Sequence, residues 1–165
     1  RLAAMKFTAI YASDYKRALR TAEFTHKLRP DIPLIAAPEL RERNWGDLEG
    51  MRWDDIMRDH PDVAAGITSG DPDYALPGGE SRAQVLRRAT ALFNRIVKER
   101  PAETVAVITH GGVCATVLKH ALGVAPASRT SFLVENCALH ILDFDGKTWT
   151  VRTLNDMSHL DGRGG

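Results

Sequence analysis

The stretch "TVAVITHGGVCATVLKHAL", residues 104–122, decides how the rest of the chain is read. Its first half is an uncharged run of β-branched and small apolar residues, the pattern of a strand covered on both faces in a parallel sheet. His110 closes that strand, Gly111 and Gly112 follow without side chains, and residues 112–122 read as a helix. A buried strand running straight into a helix places the chain in the α/β class. In open sheets of that class ligands collect at the carboxyl ends of the strands. His110 therefore stands where chemistry is expected.

Toward the N-terminus, "FTAIYAS" (7–13) is a second strand pattern, with Ser13 or Asp14 placed to cap the helix "YKRALRTAEFTHKL". "RPDIPLIAAPEL" holds three prolines and reads as a loop around a short strand at 34–36. Residues 39–52 have the mixed character of an irregular functional loop. "WDDIMRDHP" reads as a short helix stopped before Pro61, within an excursion (51–80) suited to a lid or substrate loop. In "SRAQVLRRATALFNRIVKER" Val85, Leu86, Ala89, Leu92, Phe93, Ile96 and Val97 fall on one helical face, Ser81 and Gln84 have capping-box spacing, and Pro101 is the stop. "CALHILDFDGKTWTVRTLN" is two alternating runs about Asp145-Gly146, a hairpin signal. The order predicts one domain over 1–165: an α/β three-layer sandwich, its sheet mostly parallel with an antiparallel edge.

The 22 basic and 21 acidic residues leave a net charge of +1, spread along the chain, so no field favours nucleic acid or a membrane surface. No apolar run reaches the length of a membrane span and no signal-peptide pattern occurs. The two cysteines, Cys114 in predicted helix and Cys137 in predicted strand, lack metal-ligand spacing and read as buried free thiols of a cytoplasmic protein. A homo-oligomer is compatible with the sequence and not readable from it. The chain opens on "RLAAM", without an initiator methionine, and this reads as the last turn of a helix that begins earlier.

Two strand ends carry candidate groups: Ser13, Asp14 and Arg17 after the first, His110 and its glycines after the later one. A helix start offers free N–H groups and a positive dipole end, and the two glycines leave room for a phosphate. Arg17 adds a two-pronged grip. Singly, each has a plain alternative: a solvated arginine, a satisfied structural histidine, a Gly-Gly turn. In "LRERNWGDLEG", Glu42 and Glu49 flank Trp45, which suits a proton donor; the competing reading is a loop salt bridge with Arg41 or Arg43.

With these residues in hand, "YASDYKRALRTAE", "LRERNWGDLEG", "PGGES", "VITHGG" and "NCALHIL" resemble, in order, the motifs of the histidine phosphatase superfamily, the phosphoglycerate-mutase-like fold. The resemblance implies that Arg17 and Gly111 bind phosphate, that Glu42 moves protons, and that His110, as an imidazolium, holds the phosphoryl group in flight. Glu80 and Ser81 match a segment bordering that pocket. The implied ligand is a small phosphorylated metabolite or inorganic phosphate, with no cofactor and no metal.

No Arg-His-Gly occurs in the 165 residues, although the family's nucleophile lies in that motif at the end of its first strand. The expectation is a domain lacking its first strand and most of its first helix, inactive by itself, with the attacking histidine upstream. The implied activity is a phosphomonoester hydrolase working through a phosphohistidine. The alternatives are a cofactor-dependent phosphoglycerate mutase and an inactive phosphate-binding fragment.

Overall fold

The computed structural model describes residues 1–128, 130 and 132–160. Three short apolar runs become parallel strands, β1 (Ala9–Ala12), β2 (Leu34–Ala36) and β3 (Val105–Ile108), in spatial order β2-β1-β3. Ile10 lies opposite Leu34 on one side and Ala106 on the other. The middle strand is buried at all four positions, as a strand covered by helices on both faces must be.

Alternation along β1 divides the core. Ile10 and Ala12 pack with Ala22 of α1 (Lys16–Leu28), whereas Ala9 and Tyr11 pack with Leu92 and Ile96 of α4 (Arg82–Glu99). Helix α5 (Gly111–Ala121) joins the second layer, its Val113 and Val117 meeting Val85 and Ala89 of α4. The three layers are thus helix, sheet, helix. Each large apolar side chain sealed this way contributes roughly 1.5–3 kcal/mol. Helix α4 starts as its sequence predicts: Gln84 N–H donates to Ser81 Oγ at 3.1 Å, and Ser81 N–H donates to Gln84 Oε1 at 2.6 Å.

Several details differ from the sequence reading. Pro61 ends α2 (Trp53–Asp59) but also opens α3 (Pro61–Thr68), because the first turn of a helix needs no N–H from its first residue. Segment 51–80 is therefore partly helical, and Ile56, Val63, Ala64 and Leu76 give it a small core shared with Leu48. Tyr15, not Ser13 or Asp14, takes the cap position of α1, and its side chain makes no capping bond. Strands β4 (Leu139–Phe144) and β5 (Trp149–Asp156) form an antiparallel sheet of their own, Phe144 opposite Trp149. Among the described residues no strand pairs with the outer edge of β3. Both cysteines are free, but Cys137 is exposed at φ +64° in the turn before β4, not buried in a strand. Among the described residues no helix is long and apolar enough to cross a membrane.

Candidate active site

Three chain segments leave the carboxyl ends of the parallel strands and converge. β1 delivers Ser13, Asp14 and, in the first turn of α1, Arg17; β3 delivers Thr109 and His110 and then α5. After β2 a 3-10 turn, Pro38–Leu40, leads to Arg41 and Glu42. Backbone ties lock the three together. Ala37 N–H donates to the Ala12 carbonyl at 2.8 Å and Ser13 N–H to the Ile108 carbonyl at 2.9 Å. The Thr109 hydroxyl donates to the Leu40 carbonyl at 2.7 Å.

His110 is buried, at 7% exposure. Arg17 Nε–H donates to its Nδ1 at 3.1 Å, and since a guanidinium has nothing to accept with, Nδ1 must present a lone pair. The ring proton then sits on Nε2, 2.8 Å from the wholly buried Ser13 Oγ, which accepts it. Burial, then the Arg17 charge, hold the imidazole below its ordinary pKa, with Glu42 pulling weakly the other way. In this arrangement the ring is therefore neutral, its lone pair being occupied by the Arg17 guanidinium. Tyr15 packs edge-on against it, ring centres 5.6 Å apart.

The Glu42 carboxylate reaches the start of α5. Its Oε2 accepts Gly112 N–H at 3.1 Å and its Oε1 accepts Arg43 N–H at 2.9 Å. A Cβ on Gly112 would stand 2.5 Å from Glu42 Oε1. That corrects one expectation: the second glycine makes room for the glutamate, not for phosphate. Around Gly111 the Cβ position is open, with nothing within 4 Å, and its N–H is one of those a helix cannot satisfy internally. A carboxylate at this end also suits the helix dipole.

The loop salt bridge proposed for Glu42 is not present. Arg41 pairs with Asp14, Nη2 to Oδ2 at 2.5 Å and Nε to Oδ1 at 2.8 Å. Arg43 donates to the carbonyls of Glu80 at 2.8 Å and Tyr74 at 3.3 Å. Glu49 accepts Trp45 N–H at 3.3 Å.

Arg88 of α4 is the residue that sequence reasoning passed over. Its Nε and Nη2 donate to the two Glu80 oxygens, each at 2.9 Å, and the same guanidinium donates to the Glu39 carbonyl at 2.6 Å and the Glu42 carbonyl at 3.2 Å. It therefore straps the Glu42 segment to α4. A signal existed: no acid lies three or four residues either side of Arg88, so a charge inside an amphipathic helix had no local partner. Burial alone would raise the Glu80 pKa; the Arg88 hydrogen bonds, Asn44 N–H and the nearby cations outweigh it and hold the carboxyl below its ordinary value. Glu80 is thus spent on Arg88 and on Asn44 N–H, and Ser81 on capping α4.

A cavity of about 280 Å³ opens beside these groups, with Arg17 and Glu42 in its wall. His110 is not in the lining and reaches the cavity wall through Arg17 and Tyr15. The arrangement thus joins a cation, a helix start, a carboxylate and a histidine at the mouth of a small cleft, a set able to grip an anion and move a proton beside it.

The profile of the histidine phosphatase superfamily (branch 1) matches residues 1–157. The chain is 30% identical over 161 residues to phosphoglycerate mutase-like protein 4 of Arabidopsis thaliana, covering 96% of this chain and 69% of that protein. It is 32% identical over 157 residues to the metal-independent phosphoserine phosphatase of the same plant, covering 94% of this chain and 64% of that one. Among solved structures, YhfR of Bacillus stearothermophilus superimposes with a TM-score of 0.87 at 32% identity, over 98% of this chain and 80% of its own. The chain thus spans about two thirds of the two plant proteins. A profile matched over nearly the whole chain, on a fold shared with a solved relative, places this chain in the histidine phosphatase superfamily, branch 1.

Proposed function

We propose that the site hydrolyses a phosphomonoester of a small metabolite through a phosphohistidine, the attacking histidine being carried on a segment outside these 165 residues. The observation that carries the reading is the convergence of Arg17, His110 and Glu42 on the start of α5. Arg17 and Gly111 N–H hold the equatorial phosphoryl oxygens, where charge gathers during in-line transfer. The dianion's field raises the His110 pKa, so the ring takes up a proton on binding and becomes a further donor to the same oxygens.

In the first transfer the incoming histidine nitrogen bonds to phosphorus. The phosphorus–oxygen bond to the alcohol breaks, and Glu42 passes a proton to the leaving oxygen. In the second, water attacks the phosphohistidine and Glu42 takes its proton. The nitrogen–phosphorus bond then breaks, releasing inorganic phosphate and restoring the histidine. The unpaired outer edge of β3 supports the placement of the missing group. A strand added there in parallel would have its carboxyl end on the same edge of the sheet as His110.

Full-length protein assayed for phosphate release from phosphorylated sugars, glycerates and amino acids tests the reading. Release, with an acid-labile phosphoprotein trapped on rapid quenching, is expected. No release from any substrate would overturn it, and phosphate migration between glycerate positions without release would assign a mutase instead.

A further inference from the structure

Resting on that phosphate-site reading, the cavity wall points to a substrate class: we propose that the site selects phosphomonoesters whose leaving group is an apolar ring. Arg17 and Glu42 account for the phosphoryl end of the cavity. The two other charged side chains in the wall are already engaged. Arg43 is held by the carbonyls of Glu80 and Tyr74, and lies over the Trp45 ring at 5.9 Å. Glu49 accepts Trp45 N–H. Besides Arg17, the cation in that wall is Arg43, and its Nε and Nη2 are already given to backbone carbonyls.

The rest of the wall is apolar: Tyr15, Trp45, Leu48, Met51, Trp53 and Ile56. Leu48 and Ile56 belong to the small core of 51–80, and Trp45 and Met51 pack on it. Trp53 does not. It opens α2, is 40% exposed and lies outside the hydrophobic clusters, with Met57, at 54% exposure, one turn further along. A large aromatic side chain left half in water at a cavity rim has unsatisfied apolar surface to offer a ligand. The volume, about 280 Å³, sits at the low end for ligand sites and accommodates a single ring.

Non-hydrolysable phosphonates test this by calorimetric titration of the full-length protein. Phenylphosphonate is expected to bind on the order of tenfold tighter than methylphosphonate, and aminomethylphosphonate no tighter than methyl. Trp53→Ala should bring the phenyl-to-methyl ratio close to one, and Trp53→Phe should restore most of it. In the unmodified protein the Trp53 indole N–H resonance should shift with the phenyl ligand and not with the methyl one, a readout independent of whether the alanine variant folds. A phenyl-to-methyl ratio near one, a preference for the aminomethyl ligand, or an indole resonance that ignores the ring would overturn the proposal while leaving the phosphate site standing. If neither inorganic phosphate nor any phosphonate binds, the phosphate-site reading fails and takes this inference with it.

Discussion

Replacing Arg88 by methionine keeps most of the side chain's apolar bulk and removes four hydrogen bonds at once, two to Glu80 and one each to the Glu39 and Glu42 carbonyls. Both partners of the ion pair are largely shielded, with side-chain exposures of 19% and 23%. Stripping a buried carboxylate of its guanidinium costs about 3–5 kcal/mol, and the remaining exposure discounts that toward surface values. We expect about 2–3 kcal/mol of lost stability at neutral pH, read from urea unfolding at unchanged slope. The pH dependence follows from the direction of the Glu80 shift. A carboxyl held below its ordinary pKa contributes stability that is complete above its unfolded pKa and is lost as pH falls through the folded one. The gap between wild type and Arg88→Met should therefore narrow from pH 7 toward about pH 3, other carboxylates titrating alike in both proteins. A residue should persist in acid, because the two carbonyl bonds do not titrate. Glu80→Gln closes the double-mutant cycle with a coupling of about 1–3 kcal/mol. A loss under about 0.5 kcal/mol, or a gap that does not shrink in acid, would refute the strap as the device that holds the Glu42 segment.

Three further outcomes are expected. Gly112→Ala pushes a methyl against Glu42 Oε1, so kcat for the proposed phosphatase should fall about 100-fold with little loss of stability, since alanine favours a helix. His110, followed by histidine NMR in the free protein, should titrate below the ordinary histidine range and move up on adding inorganic phosphate; a rise already present without phosphate would contradict the Arg17 arrangement. A disulfide thiol reagent at pH 8 should modify exposed Cys137 rapidly and leave Cys114 slow, since burial and the Glu42 charge push that thiol up to about 11.

Local chemistry explains which parts of this structure could be read from letters alone. The strands at 9–12 and 105–108 are short β-branched or aromatic runs, and the Ser81–Gln84 box lies within one helical turn, so both were legible. The convergence of Arg17, Glu42 and His110 was expected from the family pattern, and the loops do bring those residues together. The failures are long-range. Gly112 meets a carboxylate 70 positions away, and Arg88 meets the Glu42 carbonyl 46 positions away. Neither contact leaves a mark in the local periodicity. The stop before Pro61 was legible, but the helix it opens was not: a proline ends a helix behind it as readily as it starts one ahead, and only packing decides. The neutral state of His110 was invisible because it depends on which atom Arg17 donates to.

The contact between Glu42 and the start of α5 ties two distant positions into one unit of inheritance. A side chain at 112 forces the carboxylate to shift, and a shorter residue at 42 vacates the space that a side chain at 112 would need. Drift at either position alone is penalised, whereas a joint change that enlarges one and shrinks the other restores the fit. A larger residue at 112 should therefore come with a carboxylate at 42 turned away from the start of α5, so that the two positions constrain each other.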